Sequence, residues 1–231
     1  MILYAIPTPL GGAPAEVLPL PALEKVRLIN DFVVENAKSA RAFLAAVGMP
    51  LPMREIGIRE ITEKPDGLLQ PLREGRPLGL LSEAGCPAIA DPGAALVEAA
   101  HRAGFRVVPL VGPSSITLAL MASGLEGQRF AFCGYLPREP HERAQRIREL
   151  EARSRKESET EIFIETPYRS DALLGALLEA CGPQTRLCVA ADLTLPTESI
   201  ATRRVAQWRS AKVVLGRRPA VFLLLADCAA R

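Results

Sequence analysis

An α/β fold is what this sequence predicts, and three observations lead to it. Short apolar runs suited to buried strands alternate with stretches of helical periodicity through the first half of the chain. Segments rich in glycine, proline and small residues separate them, the longest covering residues 82–93. A hydrophobic content of 48% with 23% charged residues, over 231 residues, supplies core for one or two compact domains. Parallel βαβ units follow, because a parallel strand pair needs a crossover and a helix usually provides it.

In chain order, residues 2–6 read as a strand, 20–28 as a helix and 32–35 as a short strand. Residues 37–47 form an apolar-faced helix stopped by Gly48 and Pro50. Residues 54–61 read as a strand and 67–73 as a helix stopped by Gly75. The strand 77–81, the loop 82–93, the helix 94–103 and the strand 106–111 follow, the last running into Gly112-Pro113.

Beyond that point the texture changes. Residues 114–123 read as a helix ended by Gly124, 130–136 as a strand closed by Pro137, and 139–156 as a strongly charged helix. A strand at 161–165, a helix at 168–181 closed by Gly182-Pro183 and a strand at 186–192 come next. Residues 198–226 alternate like antiparallel strands, with 216–219 as a turn before a strand at 220–226. Two α/β domains are expected: residues 1–113 with a mostly parallel sheet and 114–231 with a mixed one.

Composition narrows the function classes. A net charge of +2 points to no partner, so nucleic-acid binding would need a local basic patch. The amino terminus lacks a basic stretch ahead of its apolar run and meets Pro7 early, and no apolar run approaches the roughly 20 residues of a membrane span. The protein is therefore expected in the cytoplasm, with no membrane partner. The five cysteines, Cys86, Cys133, Cys181, Cys188 and Cys228, form no CxxC pair, and with only His101 and His141 beside them no metal-ligand spacing appears. Reduced core thiols are expected, Cys86 excepted because of its loop.

The loop at residues 82–93 is the most informative segment. It follows a buried strand, is built of small residues, and would let main chain approach a ligand at the carboxyl end of a parallel sheet. Within it, Asp91 reads as the N-cap of the next helix, with Pro92 in the first turn. In the charged helix, Arg143, Arg146, Arg153 and their neighbours face Glu142, Glu149 and Glu151. This pattern suits a solvated face of i,i+4 pairs, and alternatively a basic surface for phosphates.

Several segments together resemble a known family. Residues 82–93, Val108-Pro109-Leu110-Val111-Gly112-Pro113-Ser114, Ser123-Gly124-Leu125, Phe132-Cys133-Gly134-Tyr135-Leu136-Pro137 and Glu165-Thr166-Pro167-Tyr168-Arg169 follow the opening Ile6-Pro7-Thr8-Pro9-Leu10-Gly11 in order and spacing. The ordered set resembles the tetrapyrrole methylase superfamily, and within it the small-subunit rRNA (cytidine-2′-O)-methyltransferases. The resemblance implies two α/β domains with an S-adenosylmethionine cleft between them, and a homodimer. It also implies cofactor contacts from Leu10, Ala84, Gly85, Cys86, Ile89, Ser114, Ser115, Glu165 and Leu193. No G-x-G-x-x-G follows the first strand, only Gly11-Gly12, so a dinucleotide-binding reading is unsupported.

The residues agree on location. Gly85 can bring main chain to a ligand, Ser114 can cap a helix, and Glu165 and Asp192 stand at the carboxyl ends of predicted strands. Glu165 can equally be a solvated strand end ahead of Pro167. The chain departs from the rRNA branch where it reads Glu35-Asn36-Ala37-Lys38, Asp192-Leu193-Thr194-Leu195 and Ser82-Glu83-Ala84-Gly85-Cys86-Pro87. A ribose hydroxyl is a weak nucleophile and needs a base, for which Glu165, Glu35 and Asp192 are the candidates. The expected function is thus S-adenosylmethionine-dependent methylation of an RNA ribose 2′-oxygen in the small ribosomal subunit. The alternatives are methylation of a tetrapyrrole or other small molecule, and a non-catalytic cofactor-binding role.

Overall fold

The structure is a computed structural model that describes residues 1–227. The chain falls into two compact units, Met1–Ser114 and a second from Ser115 onward.

In the first unit, β1 (Ile2–Ile6), β2 (Asp31–Val34), β3 (Gly57–Glu60), β4 (Leu78–Leu81) and β5 (Arg106–Pro109) form a parallel sheet in the order β3-β2-β4-β1-β5. The connections carry α1 (Pro14–Val17), α2 (Leu20–Arg27), α3 (Ala37–Val47), α4 (Gln70–Arg73) and α5 (Ala94–Arg102). Alternate strand residues serve opposite faces. Ile6, Phe32, Val34 and Leu81 pack with Leu23, Val26, Phe43 and Leu44 of α2 and α3. Leu3, Val33, Leu78 and Leu80 pack instead with Leu69, Leu72, Leu96 and Ala99. Burial on both faces explains why these strands read as continuous apolar runs.

Local signals placed most of these elements. Asn36 caps α3, its Oδ1 accepting from the amides of Lys38 at 2.9 Å and Ser39 at 3.2 Å, and Gly48 ends it in the left-handed region at φ +77°. Two stretches differ from expectation. Residues 53–55 and 65–69 wind as short 3₁₀ turns, so β3 and α4 are shorter than the strand 54–61 and helix 67–73 that the pattern suggested. Pro71 explains the shorter helix: inside residues 67–73 it would leave the Gly67 carbonyl without its donor and clash with it, so the regular helix begins only at Gln70.

In the second unit, β6 (Phe130–Tyr135), β7 (Thr160–Glu165), β8 (Arg186–Ala191), β9 (Ser199–Arg204) and β10 (Ala220–Leu225) lie in the order β6-β7-β10-β8-β9. Only β6 and β7 pair in parallel; the other contacts are antiparallel, so the sheet is mixed. The helices are α6 (Ser115–Ser123), α7 (Pro140–Glu157), α8 (Ser170–Ala180) and α9 (Val205–Ala211). β10 is buried at every position because it occupies the centre, and its Phe222 stacks on Phe163 with ring centroids 6.1 Å apart.

The helix α9 corrects the reading of residues 198–226 as strands alone. Its buried Val205 and Trp208 lie three apart, and a helix this short shows no second turn of the pattern. The Trp208 indole N–H donates to the Leu187 carbonyl at 2.8 Å, which seats the helix on the sheet.

α7 buries Ile147, Leu150, Glu151 and Ser154. Its outer charges are largely paired: Arg146 with Glu149 at 3.2 Å, Arg155 with Glu151 at 3.7 Å, Lys156 with Glu157 at 3.4 Å. Arg153 reaches inward to Glu161, whose side chain is 0% exposed. Cys181 and Cys188 are buried free thiols and Cys133 is a partly buried one; Cys228 lies outside the described residues. Among the described residues no helix is long and apolar enough to cross a membrane.

Candidate active site

Five parallel strands place their carboxyl ends on one edge of the first sheet, and the following loops meet there. Thr8, after β1, and Gly85, after β4, form an antiparallel bridge, with amide-to-carbonyl distances of 2.9 and 3.1 Å. The Cys86 thiol donates to the Pro113 carbonyl at 3.4 Å, tying in the loop after β5. That loop fits closely: a Cβ on Gly112 would lie 2.4 Å from the Pro7 ring.

Gly85 has φ +77°, and a Cβ there would meet Leu10 Cδ2 at 3.3 Å. Its amide and carbonyl are both engaged by Thr8. Gly85 therefore serves the loop through conformation and lack of bulk, not as a free donor. Ala88 and Ala90 also sit at positive φ, 65° and 63°, which costs about 1–2 kcal/mol per residue for an alanine. Strain of this kind collects where a loop must hold a functional shape. Ala84 is exposed and Ile89 is 50% exposed, so the loop presents small and apolar surface.

Carboxylates border this loop. Glu35, directly after β2, accepts the Glu83 amide at 3.0 Å, and the Ser39 hydroxyl donates to Glu83 at 3.2 Å. Asp91 completes the group, and here the sequence reading needs correction. Asp91 does not cap α5: the N-cap position belongs to Gly93, at φ +130°, with no side-chain cap bond. Asp91 lies two residues before that position, and its carboxyl interacts with Ser82 instead. Burial first, and then the neighbouring Glu35 charge, push the Asp91 carboxyl up to about 6. Sequence reasoning missed it as a functional group because Asp-Pro-Gly before a helix looks like a cap.

The Asp91 shift makes a stability prediction. A folded-state pKa above the unfolded value means that the native state holds the proton more tightly. The resulting stability is fully present below the unfolded value near 3.8 and is lost as pH rises through about 6. Asp91→Asn is therefore expected to gain stability relative to wild type between pH 4 and pH 7, by about 1 kcal/mol once solvent screening at this partly exposed site is allowed for. Denaturation midpoints across that range check it; a difference that does not change with pH contradicts the coupling.

In the second unit, Glu165 ends β7 and is only 6% exposed, so the solvated strand end is not what forms. Its Oε1 accepts from the Thr166 amide at 2.8 Å and the Thr166 hydroxyl at 3.3 Å, while Oε2 stands 2.9 Å from Arg169. The two groups of that ion pair are too poorly aligned to hydrogen-bond, and both atoms are otherwise unpartnered. Asp192 follows β8 at φ +54° and pairs with Arg218 at 2.6 Å; Leu193 beside it is 7% exposed. The register Ala220↔Glu165 and Ala220↔Ala191 puts both carboxylates at the same end of the sheet.

The expected residues thus gather in two places. Leu10, Glu35, Ala84, Gly85, Cys86 and Ile89 belong to the loops of the first sheet, and Glu165, Asp192 and Leu193 to one edge of the second. Ser114 precedes the first turn of α6, and Ser115 opens it. Burial and the Asp91 charge raise the Cys86 thiol, which keeps it protonated and unreactive.

Residues 22–208 match the family model described as Tetrapyrrole (Corrin/Porphyrin) Methylases. The Ribosomal RNA small subunit methyltransferase I of Mesorhizobium japonicum is 34% identical over 200 residues, an alignment covering 87% of this chain and 66% of that protein. The protein of that name from Vibrio cholerae is 33% identical, with 86% and 67% covered. The chain therefore spans about two thirds of the length of these relatives. Among solved structures, uroporphyrin-III-C-methyltransferase from Thermus thermophilus aligns with a TM-score of 0.57 at 23% identity, covering 97% of this chain and 94% of that one. The methyltransferase CobJ aligns at 0.63 and 19% identity, with 100% and 95% covered. At those identities the structures speak for the fold; with the family match over most of the sequence, they establish that this chain belongs to the tetrapyrrole methylase family.

Proposed function

We propose that the protein is an S-adenosylmethionine-dependent methyltransferase acting on small-subunit ribosomal RNA at a ribose 2′-hydroxyl, as a cytoplasmic homodimer. The observation that carries the acceptor is the set of relatives named Ribosomal RNA small subunit methyltransferase I, 30–34% identical over 84–90% of this chain. The tetrapyrrole enzymes among the structural neighbours share the fold, and their identities of 16–23% carry no substrate across.

The residues of the first sheet edge suit the cofactor. Leu10, Ala84, Gly85, Cys86 and Ile89 offer a small apolar surface for an adenosine, and Glu35, Glu83 and Asp91 offer negative charge to a sulfonium. Ser114 and Ser115 add hydroxyls at the start of α6, and Glu165 and Leu193 are the contacts proposed in the second unit. When bound, the cofactor supplies an electrophilic methyl group for in-line displacement by the acceptor oxygen.

The chain must do the rest: orient the hydroxyl, exclude water and take its proton. Glu35, Glu165 and Asp192 remain the proposed carboxylates, and they are not equivalent. Glu165 and Asp192 are held by Arg169 and Arg218, which suits them to fixing the acceptor in place. Glu35 is only half-buried, and beside it Asp91, near 6, is balanced to accept a proton close to neutral pH.

Incubating the protein with methyl-labelled S-adenosylmethionine and small ribosomal subunits lacking their usual methylation tests the reading. Label should enter the rRNA at a 2′-O position resistant to alkaline cleavage. Label entering a porphyrin instead, with none in RNA, overturns it.

A further inference from the structure

Recognising an RNA acceptor takes aromatic surface for unpaired bases as well as charge for phosphates. Tyr168, in the turn after β7, is 77% exposed. The guanidinium of Arg217 lies over its ring, 5.0 Å from the centroid. The sheet sets this meeting: Ala220 of β10 pairs with Glu165 of β7, so the residues three before the one and three after the other leave the same end of adjacent antiparallel strands.

Both arms are anchored at the next residue. Arg169 is held by Glu165 at 2.9 Å. Arg218 is held by Asp192 at 2.6 Å, and it also donates to the Thr197 carbonyl and to the Ser199 hydroxyl, the latter at 3.0 Å. Tyr168 and Arg217 are thus positioned by locked neighbours while remaining in solvent themselves. Arg217, unlike Arg169 and Arg218, has no carboxylate partner among the described residues, so its charge is not neutralised. At the same end of the sheet, Thr194 Oγ1 is a buried hydroxyl without a hydrogen-bond partner, and Glu165 Oε2 and Arg169 Nη2 meet each other only as an ion pair. Native proteins leave few such groups, and a ligand is one way to satisfy them.

We propose that Tyr168 and Arg217 form a stacking site for one unpaired base of the RNA acceptor; the inference rests on the acceptor being RNA. The base takes the ring face that Arg217 leaves open, and the guanidinium charge attracts the adjoining phosphate. Stacking on an exposed aromatic does not depend on which base is present, so the site fixes the strand and leaves sequence choice to other contacts.

The test uses the full chain with short single-stranded RNAs tiled along small-subunit rRNA, each containing the fluorescent base 2-aminopurine, which stacking quenches. Wild type is expected to bind at least one of them with quenching. Tyr168→Ala should bind that RNA about 5- to 150-fold more weakly and lose the quench, the range for removing one base–aromatic stack. Tyr168→Phe should keep both, because the ring acts and the hydroxyl does not. Arg217→Gln should lower the slope of binding against salt by about 0.7, the loss of one contact to a single strand. Thermal melts should be unchanged in all three variants, since both side chains are exposed. Wild-type affinity and quenching in Tyr168→Ala would overturn the stacking site and leave the RNA reading intact. No binding of any RNA by wild type, with binding of a porphyrin, would overturn both.

Discussion

Arg153→Gln is expected to lower the unfolding free energy by about 3 kcal/mol, close to a 100-fold change in the folding equilibrium. Glu161 lies in β7 with a fully buried side chain, and Arg153 meets it with Nε at 2.7 Å from Oε1 and Nη2 close to Oε2. The Cys133 thiol, pushed up to about 11 by burial and by Glu161, adds a donor at 3.2 Å from Oε2. Removing the arginine leaves a carboxylate in the core with only that weak donor. Losing one partner of a buried pair costs about 3–5 kcal/mol, and the lower end applies because Arg153 is itself 40% exposed. Trp208, the one tryptophan in the chain, is buried in the same unit and reports its unfolding by fluorescence. A loss below about 1 kcal/mol would show that Glu161 finds other partners. Adding Glu161→Gln to the variant should restore part of the loss, since the stranded charge is gone. The sequence pattern allowed Arg153 to serve as a phosphate contact; the structure commits it to the core.

Gly85→Val is expected to weaken S-adenosylmethionine binding by about 100-fold or more, corresponding to about 3 kcal/mol. At φ +77° any L side chain is strained by about 1–2 kcal/mol, and β-branching makes the conformation a severe outlier. The added methyl groups must also displace Leu10, already 3.3 Å from where the Cβ would stand. The chain can escape only by breaking the Thr8–Gly85 bridge, which moves the loops after β1 and β4 apart. Gly85→Ala should show a smaller effect, because the Leu10 side chain can yield to one methyl. Far-UV circular dichroism should match wild type for both, as the site is an irregular loop outside the strands. Calorimetry showing unchanged affinity in Gly85→Val would remove this loop from the proposed cofactor site.

Much of the fold was legible because its signals are local. Helix α3 was bounded by Asn36 and Gly48, and the strands of the first sheet by apolar runs that only double-sided burial makes continuous. α9 was not legible, because about two turns of helix between strands leave too few residues to show its period. The candidate site divides the same way. Gly85 and its loop stood out by composition, whereas Asp91 looked like a helix cap until Gly93 was seen to hold that position.

The sequence by itself determined the α/β class, the order of nearly all elements and the family, because periodicity, caps and ordered motifs are properties of neighbouring residues. The tertiary structure decided which charges are free. Arg153, Arg169 and Arg218 are tied to Glu161, Glu165 and Asp192, and Arg217, next to Arg218, is left over a tyrosine ring. Those outcomes depend on strand register and burial, which set the distance and the dielectric between groups far apart in the chain.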